Sequence, residues 1–179
     1  INKMKKIIFT VVLNLLFTNG TAQVAIGKTS VTNTSVLLEF DNATTNKKGI
    51  ILSAVENINK ALTDNPAANN GTFLFDRSDD TVKMFENEKW VKLSDMGSEA
   101  KITPNTSDET ALTQGAIIGA GTSSAKGVLV LEAPDKAMVL PWIQHPHINV
   151  KNPYPGMICY DTASRSLAVF DGSVWNYWK

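Results

Sequence analysis

The chain alternates apolar and polar positions most regularly in two stretches, GTFLFDRSDDTVKMFENEKW from Gly71 to Trp90 and GMICYDTASRSLAVFDGSVW from Gly156 to Trp175. In each, a glycine leads an apolar run, a polar turn follows, a second run ends in phenylalanine, and a shorter turn reaches tryptophan. The stretches superpose without a gap at a separation of 85 residues, Gly71 on Gly156, Asp76 on Asp161, Phe85 on Phe170 and Trp90 on Trp175. Short runs bounded by turn residues predict strands over Thr72 to Phe75, Thr81 to Phe85, Met157 to Tyr160 and Ser166 to Phe170. Asp76 and Asp161 stand where an Asx turn caps the first strand, and Asp171-Gly172 supplies the positive φ of a tight hairpin turn.

Weaker matches precede both stretches. Val36-Leu37-Leu38-Glu39 resembles Leu129-Val130-Leu131-Glu132, and Lys48-Gly49-Ile50-Ile51-Leu52 resembles Lys136-Ala137-Met138-Val139-Leu140, at separations of 93 and 88 residues. Matching ends with unequal loops suggest two related units, residues 23–93 and 125–179. Between them, residues 94–124 form a connector rich in Gly, Ser, Thr and Asn, with one short strand expected at Ala116-Ile117-Ile118. Helical spacing is confined to Val55, Ile58 and Leu62, ending at Asp64-Asn65-Pro66. The expected fold is therefore mainly β, two degenerate hairpin or meander units with at most one short helix. Because an isolated hairpin is marginal in water, such units need one shared core or identical neighbours. The aromatic C-terminus, with Phe170, Trp175, Tyr177 and Trp178, points to a homo-oligomer, most simply a trimer, joined through that segment.

The opening changes where this fold is expected to work. Lys3, Lys5 and Lys6 precede the mostly apolar run Ile7 to Phe17, and Gly20, Thr21 and Ala22 follow it. Eleven residues make about 16 Å of helix against a hydrocarbon core of about 30 Å, too short to span. The order matches a signal peptide, residues 1–22, cut between Ala22 and Gln23. The expected address is extracellular or on the cell surface, with no transmembrane anchor in the mature chain.

Composition adds exclusions. Of the 179 residues 43% are hydrophobic and 19% charged, which excludes a collagen-like or highly charged disordered chain. Lys+Arg and Asp+Glu are 17 each, so no basic field gathers nucleic acid. Loss of the leader removes three lysines and leaves the acidic groups in slight excess. Cys159 is the single cysteine. It makes no intrachain disulfide, and within Met157-Ile158-Cys159-Tyr160 it reads as a buried thiol.

Catalytic chemistry finds no constellation, and no cofactor or metal is implied. His145 and His147 flank Pro146, at a spacing that splays two strand side chains to opposite faces and organises a zinc site poorly. No G-x-S-x-G elbow occurs, and Gly115-Ala-Ile-Ile-Gly119-Ala-Gly121 lacks both G-x-G-x-x-G order and a following helix. Asp76, Asp79 and Asp80 lack calcium-loop order and read as solvated turn carboxylates. The residues left with a candidate role are Phe170, Trp175, Tyr177 and Trp178, as a glycan-stacking surface, an interface or a closure of the strand core.

Gln23-Val24-Ala25-Ile26-Gly27, taken with Val36 to Glu39, Lys48 to Leu52, Gly71 to Trp90 and their second pass, resembles secreted surface proteins of Bacteroidetes and Flavobacteria. Mature chains of that group open with a Q-V-G-I-G-T-like sequence and carry G-x-hydrophobic-x-Y-D/N-T segments ending in Y/F-D/N-G-x-x-W. The resemblance implies a tail-fibre-like or adhesin-like β module, non-enzymatic, on the surface of a Gram-negative bacterium or released from it, and names no ligand; a surface glycan or protein is the expected partner, and the alternative functions are a carbohydrate-binding module and, behind it, a secreted hydrolase. It also implies that Asp80-Thr81-Val82 and Asp161-Thr162-Ala163 match a short O-glycosylation pattern of that group, at Thr81 and Thr162. Intact-mass analysis of material from the producing cell should give a chain beginning at Gln23 with no lipid attached; a chain that keeps Lys5 and Lys6 refutes the leader.

Overall fold

The computed structural model describes residue 3 and residues 23–62, 66–104, 115–125 and 127–179. The expected leader and its cut at Ala22 lie outside the described residues, Lys3 apart. The chain forms β1 (Val24–Ile26), β2 (Val36–Phe40), β3 (Ile50–Ile51), β4 (Ala54–Val55), a helical turn α1 (Ile58–Ala61) and a 3-10 turn (Pro66–Asn69). There follow β5 (Phe73–Asp76), β6 (Thr81–Glu86), β7 (Lys89–Lys92), β8 (Ala116–Ile118), β9 (Leu129–Leu131), β10 (Ala137–Val139) and β11 (Trp142–Ile143). A second helical turn α2 (Pro146–Asn149) precedes β12 (Met157–Asp161), β13 (Ser166–Phe170) and β14 (Trp175–Trp178). The fold is mainly β.

Two sheets carry the regular stretches, one ordered β4-β5-β6-β7 and the other β11-β12-β13-β14. In each the first pair is parallel and the later pairs antiparallel. The 85-residue correspondence extends to single hydrogen bonds. Gly71 N–H donates to Phe85 O at 2.7 Å, and Gly156 N–H to Phe170 O at 2.8 Å. Phe75 N–H donates to Ser53 O at 2.9 Å, and Tyr160 N–H to Pro141 O at 2.9 Å. Phe85 and Trp90 rings meet at 5.0 Å, and Phe170 and Trp175 at 5.4 Å. Asp80 and Arg165, which correspond, both take positive φ at the turn between the paired strands.

The helix expected over Val55 to Leu62 shrinks to the single turn α1, because Val55 is drawn into β4 opposite Asp76. Its counterpart α2 forms over Pro146–Asn149. Proline at the first helical position fixes a helical φ and lacks only an N–H that would be unpaired there anyway.

Neither sheet buries its apolar face alone. Phe75, Val82 and Leu93 of the first pack with Ile158 and Val169 of the second in one buried cluster, flanked by Ile50, Leu52 and Leu140. Ile143, Val150, Cys159 and Ala168 form a smaller cluster against Met157 and Trp175. Two pairings tie the halves together: β3 runs antiparallel on β12, with Ile50 opposite Ile158, and β10 runs parallel on β2, with Ala137 opposite Val36. The connector joins in through Gly97 and Gly172. A Cβ at Gly97 would lie 2.0 Å from Asp171 O, and one at Gly172 1.9 Å from Ser98 O, so the two backbones touch where only glycine fits.

One core implies one unfolding transition. Phe75→Ala should cost about 3–5 kcal/mol, and amide exchange should accelerate in β13 as much as in β6. Loss of protection confined to β4–β7 would mean that the sheets unfold separately.

Candidate functional site

The four aromatic residues singled out at the C-terminus divide by depth, two packed against the core and two at the surface. Trp175 turns inward, joins the smaller cluster and packs on Phe170, itself buried beneath β14. These two rings therefore close the core within the chain. Tyr177 lies 39% exposed, and its hydroxyl is 2.8 Å from His147 Nδ1 on α2. Burial first and the Asp161 charge second push that hydroxyl's pKa up. On the other face Trp178 is 44% exposed, and its Nε1–H donates to Leu93 O at 2.5 Å. That bond holds the end of β14 against the end of β7. Between them runs an open groove of about 370 Å³, walled by Lys92–Asp95 on one side and Asn176–Trp178 on the other.

The expectation of solvated turn carboxylates fails for Asp76. It is fully buried, as are its counterpart Asp161 and the turn residue Asp171. The reason is that each carboxylate is supplied with donors, from its own turn and, for Asp76 and Asp161, from a neighbouring element as well. Asp76 accepts from Ser78 N–H at 2.9 Å and from Lys83 Nζ. Asp161 accepts from the backbone N–H of His145 at 3.0 Å and of Ala163 at 2.9 Å, and from Ser164 Oγ at 2.7 Å. Asp171 accepts from Ser173 and Val174 N–H at 2.7 Å each, and from Asn176 at 2.8 Å. Asp79 remains partly exposed and holds Lys83 and Lys92, both at 2.9 Å. The Lys83 ammonium group thus bridges Asp76 and Asp79.

These environments set the charges. Burial pushes the Asp76 carboxyl up, but the bonds from Lys83 and Ser78 outweigh it and leave the pKa below the ordinary range. Asp79 is lowered to about 2, burial being overcome by Thr81, Lys92 and Lys83. For Asp161 burial is overcome by Ser164 and backbone donors. Far from this cluster, burial opposes but does not outweigh Lys28 and Thr32 at the buried Glu39, whose contact with Lys28 Nζ is 2.8 Å. Lys83 is shifted upward, its desolvation offset by Asp76 and Asp79. Cys159 is sealed in the smaller cluster, and burial first, then the Asp161 charge, pushes its thiol up to about 12. It stays protonated at neutral pH and is no nucleophile.

Sequence reasoning missed the Lys83 bridge and the Glu39 pair. A signal for the first was present: Thr81, Lys83 and Phe85 share one parity of β6, and Ala168, the counterpart of Lys83, is wholly buried. The two histidine rings come within 5.9 Å of each other, yet among the described residues no group of three or more His, Cys, Asp or Glu is placed to hold a metal. No helix among them is long and apolar enough to cross a membrane. Thr81 is fully buried, with its hydroxyl donating to Asp79 at 2.6 Å, so the folded chain offers it to no glycosyl transferase; Thr162 is partly exposed. No protein family, curated protein or solved structure matches the chain.

The charge cluster has a definite pH signature. A carboxylate whose folded pKa is depressed contributes stability that is complete above its unfolded value, 3.8 for Asp79, and lost as pH falls toward about 2. Lys83, shifted the other way, contributes fully below its ordinary 10.5 and less above it. The thermal midpoint should be flat from about pH 5 to 9 and fall between about pH 4 and 2. Lys83→Met should cost about 3–5 kcal/mol at neutral pH, because Asp76 stays buried without its cation. A variant as stable as the parent would show that Lys83 is not what keeps Asp76 ionised.

Proposed function

We propose that this chain is a non-enzymatic structural module of an exported assembly, adhesin-like or tail-fibre-like in kind, working outside the cell or on its surface. The observation that carries this reading is where the reactive side chains are spent. Asp76, Asp161, Asp171 and Glu39 are buried and fully engaged in turn capping or ion pairing, and Cys159 is sealed and protonated. A general acid or base needs a pKa near the working pH and a path to substrate. The shifts at Asp76, Asp79 and Asp161 run the opposite way, toward permanent charge. The leader-like opening and the resemblance to secreted surface proteins supply the location in this reading.

A second reading, a carbohydrate-binding module, is favoured by Tyr177 and Trp178 beside the open groove, since exposed rings on a rigid strand suit stacking on sugar faces. Applying the full chain to a glycan array separates the two. The structural module gives no saturable response. Saturable binding that Trp178→Ala abolishes, with the circular dichroism spectrum unchanged, would replace it with the binding module.

A further inference from the structure

The two pairings that join the halves of the chain each occur once, and each leaves a complementary edge open. β10 occupies one edge of β2, whose other edge holds β1. In the second half the corresponding strand is β9, and among the described residues it pairs only with β8. The Val128 carbonyl and the Glu132 N–H bond to β8 at 2.8 and 2.9 Å. Alternation along the strand then turns the N–H and C=O groups of Leu129 and Leu131 to the empty side. Exposure shows what is missing: Val36 on β2 is 4% exposed, whereas Leu129 on β9 is 46% exposed, beside the still more exposed Val128.

The second pairing leaves the same signature. β3 occupies the edge of β12 at Met157–Ile158. Among the described residues, Thr72 and Phe73, which correspond at a separation of 85, have no strand on that edge, because β4 reaches only Phe75 and Asp76. The strand that corresponds to β3 is β10, 88 residues later, and its edge away from β2 is unoccupied among the described residues. Among the described residues β3 likewise has an empty edge away from β12, next to Ile51 at 45% exposure.

We propose that these open edges take a second copy of this chain by strand addition. Set a second chain against the first as the second half is set against the first half within one chain. Its β3 then pairs with β9, as β10 pairs with β2. Its Thr72–Phe73 edge pairs with β10, as β12 pairs with β3. All four open edges are used, and no edge is claimed twice. The occupant is thus specified by a contact the chain already makes with itself, and exposed unpaired edges are covered in the process. The contact is heterologous, head to tail, so it builds a ring where the rotation closes and a filament where it does not. It goes beyond the surface-module reading, since it holds whether or not the chain binds a glycan.

Multi-angle light scattering of the full chain across a concentration series tests it. The mass should rise above the 19.5 kDa of one chain. Leu129→Lys on the leading surface and Ile51→Lys on the trailing surface should each weaken association by about tenfold or more. Each variant keeps one intact surface, so their mixture should form a two-chain species that neither forms alone, a result an isologous dimer does not give. Amide exchange provides a readout free of substitution: protection at Leu129, Leu131 and Phe73 should increase with protein concentration. A mass fixed at 19.5 kDa throughout, association untouched by both variants, or exchange at these amides independent of concentration overturns the proposal.

Discussion

The contact of Phe75 and Val82 with Ile158 and Val169 makes one hydrophobic core out of two sheets. Four short strands present an apolar face that nothing in their own sheet covers, and no disulfide is available to the single cysteine. Each sheet is therefore the lid of the other. Ordering several residues into a strand costs roughly 1–2 kcal/mol apiece in backbone entropy, so only mutual burial lets strands of two to six residues persist. Even β3 and β4, of two residues each, are held because they border this core and not because of their own length.

The same packing explains the charges. Turn carboxylates that begin at strand ends are carried inward when the sheets close, and a buried carboxylate is tolerated only with its lone pairs filled. The two halves solve this differently. In the first, Lys83 reaches Asp76 from the middle of β6; in the second, Ala168 stands at that place, and the backbone preceding α2 donates to Asp161 instead. Thr81 and Asp79 in one half are matched by Ser166 and Ser164 in the other, which share a 2.6 Å hydroxyl contact. At these two positions polarity is kept while the bonding partners change.

What remains outside the framework is apolar edge and aromatic ring. The exposed surface includes strand edges at Leu129 and Ile51 and aromatic rings at Tyr177 and Trp178. Glycine at 97 and 172 admits the connector, whose backbone is pressed onto the β13–β14 turn with no side chain between. Ser94 is buried, and Ser98 N–H donates to Asp171 O at 2.9 Å, so this end of the connector is tied to the fold.

The sequence by itself determined whatever depends on near neighbours. Asp76 and Asp161 as turn caps, the strand pairs on either side of them, the strand at Ala116–Ile118 and the equivalent Trp90 and Trp175 all follow from residues within about one hairpin, where alternation and turn chemistry act directly. It also left a trace of Lys83, in the parity of β6. Only the tertiary structure decided that Ile51 pairs with Met157 across the chain, that the two units share one core, and that Phe170 and Trp175 are spent inside while Tyr177 and Trp178 stay at the surface. A strand of two residues carries no period from which to read a partner. The choice between covering an aromatic ring from within the chain and covering it with another copy depends on distances that loops of unequal length set only once the whole chain has closed.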